Sequence, residues 1–330
     1  MNPKEESLVT VESLSKNFVK TQNWMDALVG KKPKTLHALN QVSLSIPVGQ
    51  TVGLVGESGS GKSTLARCLI RLYKPDEGKI LYRGIDIARL PEKQLQEYRK
   101  KMQMVFQDPY SSLNPRLTIG GMIEEVIQVH NICPADERKD YTAALLQRVG
   151  LPPDAMKRKP VALSGGQRQR AVIARTLAIN PEFIIADEPV SALDVSIQAQ
   201  IINLLHELQQ DLNLTMLFIS HDLRVVRHIS SKIVVMYLGR VLEVGNANDL
   251  YLDPLHPYTI ALLQAVPTLE NAKSVHETAL QGETPDAYEV PVGCCFQNRC
   301  SKAMSVCSQI EPKMIEHSPD HFTACHLFSS

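Results

Sequence analysis

Gly56-Glu-Ser-Gly-Ser-Gly61-Lys62-Ser63 follows the apolar run Thr51-Val-Gly-Leu-Val55 and opens the helix-patterned stretch Lys62-Ser-Thr-Leu-Ala-Arg-Cys-Leu69. It fits G-x-x-x-x-G-K-[ST] in the strand, loop, helix context that the motif's mechanism needs. The glycines let successive backbone N–H groups turn inward onto phosphate oxygens, and the helix N-terminus adds its positive dipole end. Lys62 is placed to reach the β and γ phosphates and Ser63 to bind Mg²⁺. Gly56, Glu57, Ser58, Gly59, Ser60, Gly61, Lys62, Ser63 and Thr64 are therefore the candidate nucleotide contacts.

Outward from this loop the pattern is that of an α/β protein. Upstream, residues 7–55 read as strands, with a solvated loop expected over residues 19–34 around the lone Trp24. Downstream, EGKILYRG and QMVFQD read as strands, and residues 108–163 as a helical insertion: PYSSLNPR is rich in turn signals, while IGGMIEEVIQV and YTAALLQRVG are amphipathic. From residue 165 helices alternate with buried strands (EFIIAD, TMLFIS, KIVVMYLG), which predicts a mostly parallel sheet covered on both faces. Past residue 250 the composition turns to Pro, His and Cys without periodicity, so a boundary is expected there, followed by a small irregular domain.

Composition narrows the classes. The 330 residues carry 35 Lys and Arg against 35 Asp and Glu, so the positive field of a non-specific nucleic-acid binder is missing and no nucleic-acid partner is expected. No apolar run is long enough to span a bilayer and the N-terminus reads as no secretion signal, so any membrane attachment is expected to come through a partner. Of the seven cysteines, only Cys68 and Cys133 precede the group Cys294, Cys295, Cys300, Cys307 and Cys325. That skew points to a reducing compartment and a local metal site rather than a disulfide framework.

Two further stretches carry chemistry. Phe183-Ile-Ile-Ala-Asp187-Glu188 is a buried strand ending in adjacent carboxylates: Asp187 is the candidate for the Mg²⁺ hydration shell and Glu188 for the group facing an attacking water. Leu163-Ser164-Gly165-Gly166-Gln167 starts a helix with two glycines, which suits either an ordinary N-cap or a second phosphate-binding N-terminus.

With LSGGQ standing between the phosphate loop and the carboxylate pair, the chain resembles the ATP-binding cassette ATPases. The resemblance extends to Gln107 as the Q-loop glutamine on Mg²⁺ and water, to Ser191-Ala-Leu-Asp194 as the D-loop, and to His221 as the switch histidine on the γ-phosphate. Phe18 stands where that family stacks an aromatic ring on adenine. The resemblance implies a cassette over residues 1–250 with a RecA-like core, an antiparallel β subdomain and a helical subdomain over about residues 108–175. It also implies a head-to-tail dimer in which ATP lies between one subunit's phosphate loop and the other's signature helix, Ser164 to Gln167. Hydrolysis would run through Glu188, Gln107 and His221.

QDPYSSLNPR and Asp253-Pro-Leu-His-Pro-Tyr-Thr259, with the Cys-rich tail, are similar to the oligopeptide, dipeptide and nickel importer ATPases. This implies a second cassette, identical or sister, two membrane permease subunits and, indirectly, an extracytoplasmic solute-binding protein, with the chain held peripherally at the cytoplasmic face. Cys294, Cys300, Cys307 and Cys325 are similar to that group's iron–sulfur pattern, and four thiolates suit a [4Fe–4S] cluster or structural zinc. Cys295 duplicates the first position, and His326 reads as a bystander. The rival readings are a soluble non-transport ATPase and a cluster-regulated one.

Overall fold

The computed structural model describes residues 6–19, 33–265, 288 and 291–328. Residues 20–32 of the expected first loop, Trp24 included, lie outside them. In chain order the strands are β1 (Ser7–Val19), β2 (Thr35–Pro47), β3 (Thr51–Val55), β4 (Glu77–Tyr82), β5 (Ile85–Asp86), β6 (Met102–Val105), β7 (Phe183–Asp187), β8 (Thr215–Ser220), β9 (Lys232–Tyr237), β10 (Arg240–Asn246), β11 (Ile315–Ser318) and β12 (His321–Thr323). Two compact units result: one of Pro47–Thr51 and Leu90–Ile219, the other of the described parts of Glu6–Ile46, Val52–Arg89 and Ser220–Ser330.

In the second unit, β2, β1, β4 and β5 form one sheet in that order. β1 runs antiparallel to β4, with Val9 opposite Tyr82 and a register shift between Glu12 and Ser15. A separate run joins β3 in parallel to β9, with Val52 opposite Lys232 and Val55 opposite Val235. Every residue of β3 is buried, as suits a mostly apolar strand covered on both faces. Gly53 makes the cover possible, because a Cβ there would lie 1.9 Å from Val226 Cγ1 on the helix Leu223–Ile229.

β10 pairs antiparallel with β9, then β12 with β10 and β11 with β12. The C-terminal segment, expected to lack regular structure, thus adds two strands to a sheet edge. They are three and four residues long, too short for a period-2 pattern to show in the sequence. Glu243 of β10 fixes the join. Its carboxylate is fully buried and accepts from Leu255 N at 2.8 Å, His256 N at 2.9 Å and His321 Nε2 at 2.8 Å. Three donors are what a buried carboxylate requires.

The first unit holds β6, β7 and β8, all parallel, with Met102 opposite Phe183 and Phe183 opposite Thr215. Its helices include Ile119–His130, Arg138–Arg148, Gly165–Leu177 and Val195–Asp211. Thr118 caps the first by accepting from Gly121 N at 3.1 Å, and Asn131 ends it in the left-handed conformation. The stretch PYSSLNPR, expected as loop, begins with a short helix, Pro109–Ser112. Asp108 stabilises it by accepting from Tyr110 N at 2.8 Å and Ser111 N at 3.2 Å.

Candidate active site

The phosphate loop leaves β3 at Gly56 and enters the helix Lys62–Leu69 at Gly61. Both glycines are required by space as well as by conformation. At Gly56 (φ 155°) a Cβ would sit 2.1 Å from Met236 O, and at Gly61 (φ 101°) 2.5 Å from Ala38 O. Gly59 (φ 80°) has open space around it, so there only the left-handed backbone calls for glycine. From behind, Gly239 N donates to Ser60 O at 2.9 Å and Asn40 N to Gly239 O at 2.9 Å. Gly61 caps the helix without a side-chain hydrogen bond. Lys62 is 4% exposed, and its Nζ donates to Gly56 O and Glu57 O at 2.7 Å and to Ser60 Oγ at 3.3 Å. The ammonium is thereby desolvated and held over the loop by carbonyls, a cationic lining for the cradle.

Glu57 reveals two residues that sequence reasoning missed. Its N–H donates to Tyr258 Oη at 2.8 Å, and its carboxylate accepts both arms of the Arg299 guanidinium at 2.6 and 3.0 Å. Tyr258 belongs to the DPLHPYT stretch, which served only as a family mark. Arg299 stands beside Cys300 in a tail read only for its thiols. Phe18, in the same unit, meets Tyr73 edge to face at 5.3 Å, with Lys16 Nζ 5.4 Å from its ring centre. His221 is exposed just after β8.

In the other unit, β7 delivers Asp187, nearly fully buried, and then Glu188. Glu188 adopts φ 47°, a left-handed conformation that costs a non-glycine residue about 1–3 kcal/mol and clusters at functional sites. The backbone around it is fixed by Glu188 N to Ile219 O at 3.1 Å and by Ser191 Oγ to Glu188 O at 3.1 Å. Gln107 Nε2 donates to Glu188 Oε2 at 2.9 Å. The structure therefore brings together two residues expected to serve hydrolysis.

Ser164 and Gln167 satisfy each other. Gln167 N donates to Ser164 Oγ at 3.3 Å and Ser164 N to Gln167 Oε1 at 3.1 Å, a reciprocal capping box on the helix Gly165–Leu177. The two glycines are small because Leu193 and the helix Val195–Asp211 pack on them. A Cβ on Gly165 would lie 3.1 Å from Leu193 Cδ2, and one on Gly166 2.6 Å from Ile197 Cγ2. Asp194 is exposed at the N-terminus of the helix Val195–Asp211. A cavity of about 710 Å³ in this unit is lined by Tyr110, Leu113, Pro115, Met122, Val129 and Arg175 among others. Arg168 stacks over Tyr110 at 4.2 Å, and Arg175 donates to Ser112 O.

In the tail, burial raises the thiols of Cys294, Cys300 and Cys325, the last to about 11. Cys325 also feels Cys294, Cys300 and Cys307, and Cys294 feels Cys307 and Cys300. Cys295 instead turns toward Tyr237 O, 4.0 Å away, and burial pushes it to about 12. Of the adjacent pair it is thus Cys294 whose charge bears on Cys325. His326 Nε2 bonds Ile310 O at 2.8 Å, as a bystander would. Among the described residues no three or more His, Cys, Asp or Glu side chains are gathered closely enough to hold a metal ion, so the expected cluster is not shown.

Comparison with known proteins agrees with this inventory. A model of the ABC transporter family matches residues 39–191, and one of the oligopeptide/dipeptide transporter C-terminal region matches residues 242–307. The oligopeptide transport ATP-binding protein AppF of Bacillus subtilis (strain 168) is 53% identical over 305 residues, covering 92% of this chain and 93% of that protein. Among solved structures, cbiO1 of Clostridium perfringens, part of the ABC transporter complex cbiONQ, aligns with TM-score 0.63 at 29% identity over 76% of this chain and 92% of that one. A dimeric post-hydrolysis form of the ATP-binding cassette MJ0796 with ADP and Pi aligns with TM-score 0.62 at 31% identity, over 72% of this chain and 98% of that one. A phosphate loop cut to fit by glycines, a left-handed Glu188 bonded to Gln107 and relatives matched nearly end to end leave one assignment: the chain belongs to the ABC transporter family, as an ATP-binding, ATP-hydrolysing protein that carries the oligopeptide/dipeptide transporter C-terminal region.

Proposed function

We propose that this chain is the ATPase of a peptide importer, closing as a dimer on ATP and reopening after hydrolysis to drive a separate membrane permease. The observation that carries the reading is the pairing of a complete phosphate loop with the C-terminal region of oligopeptide and dipeptide transporters in one chain. The residues divide the work. Lys62 and the loop N–H groups bind the triphosphate, and Glu188, oriented by Gln107, holds the attacking water and takes its proton. His221 contacts the γ-phosphate and Phe18 the adenine. Ser63, Gln107 and Asp187 would hold Mg²⁺ through the hard oxygen donors it prefers, and the ion would offset negative charge on the triphosphate. Ser164 to Gln167 and Asp194 serve the partner cassette, identical or sister.

Two permease subunits are the membrane partners in this reading, with a solute-binding protein on the far side. No helix among the described residues is long and apolar enough to cross a membrane, which fits peripheral attachment at the cytoplasmic face. The cavity beside Tyr110, with exposed Val129 at its wall and Asn114, Glu125 and Arg175 among its lining residues, offers a mixed polar and apolar seat for a permease element. Uptake of a labelled peptide by vesicles holding the permease and this chain should require ATP and stop with Glu188→Gln. ATP turnover without any peptide movement in that assembly overturns the reading.

Residues 1–250 act as the cassette in this reading and 251–330 as an extension organised by Cys294, Cys300, Cys307 and Cys325. These thiolates would take an iron–sulfur cluster or zinc, and the metal's binding free energy would be folding free energy for the tail. Protein made anaerobically should contain iron and acid-labile sulfide, and Cys300→Ser should lose both. One equivalent of zinc instead keeps the four-thiolate site and rejects the cluster, and metal-free protein with a stable tail rejects both.

A further inference from the structure

All three polar groups of Glu57 are engaged, and two of their partners come from the C-terminal segment. The N–H donates to Tyr258 Oη, the carbonyl accepts from Lys62 Nζ, and the carboxylate takes Arg299 through both arms. Those partners cannot drift. Tyr258 is fully buried and the Arg299 side chain is 5% exposed. The Tyr258 ring packs on Tyr237 and Phe296, with centroids 4.7 and 5.3 Å apart. Arg299 also donates to Tyr237 Oη at 3.3 Å. Gly56 and Gly59, which bracket Glu57 and Ser58 in the loop, have no side chain to restrain it.

A carboxylate in a loop that must receive phosphates is a liability, since like charges a few ångströms apart repel by about 1 kcal/mol even in bulk water, and by more at a protein surface. The bidentate guanidinium offsets that charge and holds the carboxylate in one place. The tyrosine hydroxyl, for its part, fixes the orientation of the Glu57 peptide, whose carbonyl holds Lys62. We propose that Arg299 and Tyr258 are positioning residues for nucleotide binding, so that the C-terminal segment sets the charge and shape that the phosphate loop offers to a triphosphate. The inference rests on ATP binding at residues 56–64 and adds what the segment beyond the cassette does for it.

Arg299→Met keeps most of the packing stem and removes the charge. In the assembled transporter it should raise KM for ATP about tenfold with kcat within about twofold, and calorimetry on the full chain should show the same loss of affinity. The loss should shrink as salt rises, because screening weakens the exposed repulsion. Adding Glu57→Gln to Arg299→Met should recover most of the affinity, since the repelling charge is then gone. Tyr258→Phe, which keeps the ring contacts and removes the hydroxyl, should raise KM by a smaller factor. If Arg299 only glues the tail in place, Arg299→Met lowers Tm with KM unchanged, or Glu57→Gln brings no relief, and either result overturns the proposal. Should Arg299→Met fail to fold, Arg299→Lys and Tyr258→Phe carry the same KM test. Lys62→Ala separates the two levels. Wild-type ATP binding by Lys62→Ala overturns the loop assignment and the proposal together, whereas lost binding there with unchanged KM in Arg299→Met overturns the proposal alone.

Discussion

Glu188→Gln is expected to bind ATP as the parent does and to lose about 10²- to 10⁴-fold in turnover, the range a general base contributes. The substitution is close to isosteric. Gln107 Nε2 now donates to Glu188 Oε2 at 2.9 Å, and the new amide can still accept that bond through its own carbonyl oxygen. The backbone contacts that hold the left-handed residue 188, Glu188 N to Ile219 O and Ser191 Oγ to Glu188 O, do not involve the side chain. Folded stability should therefore change little, and the strain at φ 47° remains in both proteins. What disappears is a basic oxygen able to take a proton from water. Phosphate release in the assembled complex measures the loss, and calorimetry with ATP measures the retained binding. Hydrolysis near the parental rate would remove Glu188 from the reaction and leave it as a strand-end residue.

How far such residues could be read from the sequence depends on how local their physical cause is. The phosphate loop was legible because its pattern lies within eight residues and the left-handed backbone at Gly56 and Gly61 already calls for glycine there, although the carbonyls of Met236 and Ala38 that also exclude a Cβ come from outside the stretch. β7 was legible because a strand buried on both faces shows an apolar run, here Phe183 to Ala186 ahead of its carboxylate end. The helix Glu92–Lys101 was not, since it buries only Leu95 and so writes no apolar stripe. β11 and β12 are too short to show a period. Tyr258 and Arg299 meet Glu57 from 201 and 242 residues away, and nothing near either residue announces that closure. The choice between Cys294 and Cys295 likewise depends on side-chain direction, because adjacent residues with identical chemistry differ only in where the backbone aims them.

Ser164→Arg is expected to leave ATP binding by a single chain intact and to abolish ATP-dependent dimerisation. Ser164 has two possible employments. As found, it closes a capping box with Gln167 at the N-terminus of the helix Gly165–Leu177, and losing an N-cap costs about 0.5–2 kcal/mol. In the proposed dimer the same N-terminus receives the partner's γ-phosphate, where exposed N–H groups and the helix dipole favour an anion. An arginine there removes the cap and also places a long side chain where the phosphate must approach. Ser164→Ala separates the effects, because it removes the cap without adding bulk. The alanine variant should lose some thermal stability yet still dimerise with ATP, while the arginine variant stays monomeric at ATP concentrations that saturate it. Sedimentation with and without ATP, in a Glu188→Gln background that prevents turnover, reads both. If the arginine variant dimerises like its parent, Ser164 is a helix cap and nothing more. If alanine and arginine fail equally, the cap rather than the docking surface governs assembly.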